Sequence, residues 1–155
     1  MGNKYSYSEF SVYCQMGYLD EAKLIYKSGH INIHENKDRL FYFTCEAGHL
    51  EVAQWLHSLG DVDIHVYDEA PFISSCLHGH LEVAQWLHSL GGIDIHKRGD
   101  AAFIAACNRG HLEIAQWLYS LGGIDIHVCN NAAFKNHLYS RYDEVIAWLK
   151  SLDHI

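Results

Sequence analysis

One phrase governs this chain. Gly-His-Leu-Glu-Val-Ala-Gln-Trp-Leu-His-Ser-Leu-Gly begins at Gly48, returns unchanged from Gly79, and returns from Gly110 with Ile114 for valine and Tyr119 for histidine. The interval is 31 residues each time. One interval before Gly48, Gly-Tyr-Leu-Asp-Glu-Ala-Lys-Leu-Ile starts at Gly17; one interval after Gly110, Tyr142 to Leu149 is another worn copy. A period of this length marks a supersecondary unit that cannot bury its apolar face alone and must stack on its neighbours. The expected organisation is a single domain over 1–155, built of units at approximately 5–37, 38–68, 69–99, 100–130 and 131–155. That leaves no room for a second domain.

Each unit reads as two helices and a link. Val52, Trp55, Leu56 and Leu59 fall at i, i+3, i+4 and i+7, one helical face, with Glu51, Gln54 and Ser58 opposite. Gly60, Gly91 and Gly122 follow as left-handed caps. The shorter first stretch, such as Ala101 to Cys107, is rich in small residues that let helices approach closely. The link Gly-Ile-Asp-Ile-His alternates as an extended hairpin arm would. Composition supports an ordered core: 49% of residues are apolar and 19% charged, too apolar for a disordered chain. No apolar run approaches a membrane span. The net charge of −8 excludes a protein that lives on phosphate contacts, so nucleic acid is not expected as a partner. Five cysteines, an odd number without a CxxC pair, fit a reducing and therefore cytoplasmic compartment.

Three rows recur at the repeat interval. Cys14, Cys45, Cys76 and Cys107 read as buried small hydrophobes. Each unit pairs its cysteine with only one histidine four residues on, as in Cys45 and His49, and structural zinc needs four converging ligands. No metal and no cofactor is therefore expected. His34, His65, His96 and His127 are too widely spaced for joint ligation, and each ring is expected to hydrogen-bond the link backbone, a pH-sensitive stack being the other reading. Trp55, Trp86, Trp117 and Trp148 are expected in the core, and Cys129, off its row, on an exposed link. No phosphate loop and no recurring nucleophile–base pair stands outside these rows, so the chain is not read as an enzyme.

Gly-His-Leu-Glu-Val/Ile-Ala-x-Trp-Leu followed by Gly-x-x-Asp-Ile resembles the second helix and following loop of ankyrin repeats. The departures are local. The family's Thr-Pro-Leu-His turn reads Ala70-Pro71-Phe72-Ile73 or Ala-Ala-Phe-Ile, and its Asp-x-Asn reads Asp-Ile-His. The 31-residue variety looks like the ankyrin proteins that giant DNA viruses of amoebae carry, which would place it in the host cytoplasm. The resemblance implies an all-α, ankyrin-type helical repeat solenoid with short hairpin connections and polar capping units. Glu21 and Ser28 in the first copy, and Asp143, Lys135, Asn136 and His137 in the last, suit such caps and a complete array.

The implied function is non-catalytic binding of a partner protein by a monomer, through a concave face. Comparing the copies with one another shows where sequence is free to vary. One patch is the link tip, Glu35 to Lys37, Val66 to Asp68, Lys97 to Gly99 and Val128 to Asn130; the other ends the first helix, at Glu46, Leu77 and His78, Asn108 and Arg109, and Tyr139. The expected partner-binding residues are Tyr67, Asp68, Leu77, His78, Lys97, Arg98, Asn108, Arg109, Asn130 and Tyr139. Lys97, Arg98 and Arg109 form a basic spot on an acidic protein, suited to an acidic patch on the partner. The other reading is an adaptor, or a substrate whose hairpin is hydroxylated, as happens to some members of the family. No membrane partner is expected, although Met1-Gly2-Asn3-Lys4-Tyr5-Ser6 fits a loose myristoylation pattern at Gly2.

Overall fold

The computed structural model describes residues 6–29, 31–35, 38–129 and 143–152, with Val128 and Cys129 in backbone only. Among the described residues there are nine α-helices, one 3-10 turn and no strand. They are α1 (Tyr7–Gln15), α2 (Leu19–Lys27), α3 (Arg39–Glu46), α4 (Leu50–Ser58), α5 (Val66–His78), α6 (Leu81–Ser89), α7 (Lys97–Arg109), α8 (Leu112–Ser120), the 3-10 turn Ile126–Cys129, and α9 (Asp143–Leu152). The chain divides into two compact units, Met1–Pro71 and Phe72–Ile155, the boundary falling inside α5.

In the first unit α1 packs on α2 and α3 on α4, and α1 lies against α3. Ser6 starts α1 with a capping box: its hydroxyl accepts the Glu9 N–H, and its own N–H donates to the Glu9 carboxylate at 2.8 Å. The second helices repeat their buried face residue for residue: Val52, Ala53 and Leu56 in α4, Val83, Ala84 and Leu87 in α6, Ile114, Ala115 and Leu118 in α8. Gln54, Gln85 and Gln116 face solvent. Phe10, Phe41, Phe72 and Phe103, also 31 apart, are wholly or almost wholly buried. Each such ring stabilises by roughly 1.5–3 kcal/mol.

The tryptophans are half-buried rather than core. Trp55 meets Phe10 and Tyr26 edge-on, with ring centroids 6.1 and 5.7 Å away. In the second unit Trp117 meets Phe72 and His88 in the same way, and Trp148 meets Phe103 and Tyr119. Each of these three indoles thus reaches from its own second helix to the preceding copy. Two of the Gly-His-Leu histidines make the same step: His49 Nε2–H donates to the Gln15 carbonyl at 2.9 Å, and His111 to the Leu77 carbonyl at 3.1 Å. The ring of His111 needs space at Gly79, where a Cβ would stand 2.7 Å from Cε1. Gly79 also has φ +86°, so glycine is required twice over.

Among the described residues the Gly-Ile-Asp-Ile-His stretch forms no strand. Beyond it the link backbone turns left-handed, at Tyr67, Asp68 and Glu69 and again at Arg98, Gly99 and Asp100, with φ between 53 and 66°. Pro71 follows after Ala70, in the first right-handed turn, where a missing N–H costs nothing. The rings of three link histidines bond carboxylates rather than the backbone. His34, His65 and His96 donate Nδ1–H to the carboxylates of Asp38, Glu69 and Asp100, at 2.7, 2.9 and 2.6 Å. Those carboxylates are buried, and a buried charge needs a partner. The backbone bond that does recur runs the other way: the N–H groups of His34, His65, His96 and His127 donate to the Oδ1 of Asn32, Asp63, Asp94 and Asp125.

At the N-terminal copy Glu21 and Ser28 are exposed, as capping implies. Val12, Met16, Tyr18 and Leu24 are exposed as well, so this surface is mixed rather than polar. Leu90 and Leu121, expected on the apolar stripe, are 38% and 37% exposed at the ends of their helices. Lys135, Asn136 and His137 lie outside the described residues, as does Gly2.

Candidate protein-binding surface

The left-handed turns decide where the variable tips point. Tyr67 (φ 53°) and Arg98 (φ 54°), one repeat apart, hold the same backbone geometry, and both side chains are exposed, Tyr67 by 45%. Asp68 is exposed beside Tyr67; Lys97 is half-buried beside Arg98. At the ends of α5 and α7, His78 and Arg109 are exposed while Leu77 and Asn108 are half-buried. His78 is held by its Nδ1–H on the Ser74 carbonyl at 3.0 Å, and its ring stacks near His80 with centroids 6.3 Å apart. Asn130 and Tyr139 lie outside the described residues, and of the Cys129 side chain nothing is described.

The first unit adds residues that the tip comparison missed. Tyr67 meets Tyr42 edge-on at 6.1 Å, and Tyr42 lies 5.1 Å from Phe43. The Arg39 guanidinium sits 4.9 Å over the Phe43 ring, and the Tyr42 hydroxyl donates to Glu46 at 2.9 Å. Beside them runs a groove of about 180 Å³ between α1 and α3, lined by Tyr7, Ser11, Gln15, Arg39, Leu40 and Phe43. Burial pushes the Tyr7 phenol above its ordinary value and Glu35 adds to this, while Arg39 pulls it back. A signal for this cluster does exist in the sequence. Where α3 has Arg39, Tyr42 and Phe43, the next copies have Ala70, Ile73 and Ser74, then Ala101, Ile104 and Ala105.

Other chemistry is sparse. Cys14, Cys45, Cys76 and Cys107 are fully buried. Burial pushes the Cys14 thiol up to about 12 and those of Cys45 and Cys76 further still, which removes the reactive thiolate at neutral pH. Among the described residues no three histidine, cysteine, aspartate or glutamate side chains gather as a metal would need. No described helix is long and apolar enough to cross a membrane. A cavity of about 320 Å³ in the second unit, rimmed by Glu113 and Glu144, includes none of the variable residues.

Paired helices joined by short turned links, repeating every 31 residues, define a helical repeat protein. The family model for ankyrin repeats, in three copies, matches residues 40–130, more than half of the sequence, and the chain belongs to the ankyrin-repeat family. Comparison with curated proteins gives no match. Ankyrin repeats in general mediate protein–protein interactions and typically carry no catalytic activity.

Proposed function

We propose that this chain is a non-catalytic binding module that holds one partner protein through its link tips and the free ends of its first helices. In this reading the five copies act as one domain, monomeric and cytoplasmic, and the resemblance to viral ankyrin proteins supports the cytoplasm of an infected host as its compartment. The observation that carries the reading is the pair of non-glycine tip residues, Tyr67 and Arg98, held exposed at positive φ. Left-handed backbone costs an L-residue about 1–2 kcal/mol, and such strain gathers at functional sites. Tyrosine and arginine are also the side chains most enriched at interface hot spots. The basic tip at Lys97 and Arg98, with Arg109, suits an acidic patch on the partner. A role as substrate of a hydroxylase at the link residues is the second reading, supported by the exposed rings of His34, His65 and His96.

The test is affinity capture from host cytosol with the full chain, comparing matched variants. Tyr67→Ala with Arg98→Ala abolishes capture and moves the melting temperature by only a few degrees, because both side chains are exposed. Gln54→Ala with Gln85→Ala, on exposed positions of the second helices, leaves capture intact. Loss of capture in the glutamine pair alone would reverse the assignment of the face.

A further inference from the structure

We propose that the α1–α3 groove of the first unit receives a short peptide segment carrying one carboxylate beside one apolar side chain, with Arg39 taking the carboxylate. The proposal rests on the protein-binding reading above and names the chemistry of the partner at one part of that surface.

Three observations converge on Arg39. It is exposed and, among the described residues, pairs with no carboxylate; it sits 4.9 Å over the Phe43 ring, which holds the guanidinium against a flat surface. The neighbouring Asp38 does not neutralise it, because Asp38 is committed elsewhere: Oδ1 accepts His34 Nδ1–H at 2.7 Å and Oδ2 accepts the Asp63 N–H at 3.1 Å. The groove at its side has an apolar wall in Leu40 and Phe43 and a polar one in Ser11 and Gln15, which bond each other at 2.7 Å.

Size and charge then narrow the occupant. A cavity of roughly 150 Å³ accepts a benzene ring, so about 180 Å³ accepts one aliphatic or aromatic side chain. A guanidinium already oriented by stacking offers a planar fork that matches one carboxylate in two parallel hydrogen bonds. The surroundings reject a run of acids: residues 1–71 hold five basic and eleven acidic side chains, with Asp38 adjacent. A single acidic residue flanked by apolar ones fits, and a polyacidic tract does not.

The experiment is selection of a random dodecapeptide library against the full chain, followed by affinity measurement with the fluorescein-labelled winning peptide. The expected winners carry one Asp or Glu next to Leu, Ile, Met or Phe. Replacing that acid by its amide, or Arg39→Gln in the protein, weakens binding at least tenfold, and Arg39→Lys weakens it less. Arg39→Gln is an exposed substitution and melts with the parent, which separates binding from folding. Winners without an acid, no enrichment, or unchanged affinity with Arg39→Gln overturns the proposal. If Arg39→Gln has no effect while Tyr67→Ala with Arg98→Ala lowers affinity, the groove assignment falls and the protein-binding reading stands. If neither variant affects affinity, both fall.

Discussion

Asp68 holds φ 66° and ψ 58°, and Gly99, one repeat later, holds 63° and 58°. Two residues with opposite tolerance for left-handed backbone occupy one geometry, which makes the pair a built-in comparison. Glycine adopts this region without a Cβ clash, whereas aspartate does so at some cost, offset in part by the greater freedom glycine has when unfolded. Asp68→Gly is therefore expected to stabilise the chain by about 0.5–1 kcal/mol, a rise of a few degrees in melting temperature by calorimetry. The side chains around this turn are explained by charge. Glu69 and Asp100 are buried carboxylates, and the histidine four residues earlier satisfies each. The Asp-Ile-His spelling is legible in sequence, but the ring's partner is not. It sits across a turn whose handedness no local pattern declares.

At the scale of the helix pair, the junction between copies depends on the Gly-His-Leu turn. Gly79 and Gly91 have nearly the same φ, 86 and 85°, but different neighbourhoods. A Cβ at Gly79 would stand 2.7 Å from the His111 ring, whereas at Gly91 nothing lies within 4 Å. Both alanine substitutions pay the left-handed cost of about 1–2 kcal/mol. Gly79→Ala must also displace a ring that is hydrogen-bonded to Leu77. Urea unfolding is expected to show Gly79→Ala as the more damaging by a further 1 kcal/mol or more. Equal losses would mean that the imidazole moves aside freely. The helices themselves were readable from spacing, since Val52, Ala53 and Leu56 and their equivalents are all buried. The half-burial of Trp55, Trp117 and Trp148 was not, because their ring contacts reach the preceding copy.

Across the molecule, the buried thiols tie stability to alkaline pH. Their folded values lie above the ordinary thiol range, at about 12 for Cys14 and higher for Cys45 and Cys76. A group whose value is raised by folding contributes stability that is complete below its unfolded value and is lost as pH rises through the folded one. Unfolded thiols titrate near 8.5, so the loss starts at about pH 9 and, for Cys14, runs to about 12. Each thiol costs on the order of 1 kcal/mol per pH unit in that window, and three together consume an ordinary folding free energy within a few units. A circular dichroism titration is expected to show steep unfolding between about pH 9 and 12, and Cys45→Ala with Cys76→Ala to make it shallower. An unchanged slope in that variant would assign the loss to other groups.

What the sequence determined by itself is whatever repeats. Copies of one phrase expose the period, the two helices of each copy and the buried row Cys14, Cys45, Cys76 and Cys107, because a position that must face a neighbour is held to one kind of side chain in most copies. The equally buried phenylalanine row emerged only from the structure. Tertiary structure alone decided the left-handed links, the histidine–carboxylate pairs and the groove at Arg39. The histidine–carboxylate pairs depend on the handedness of the turn between their two residues, and the groove on which groups the packed helices bring within a few ångströms; residues such as Phe10 and Trp55, or Asp38 and Asp63, are joined by packing and not by spacing along the chain.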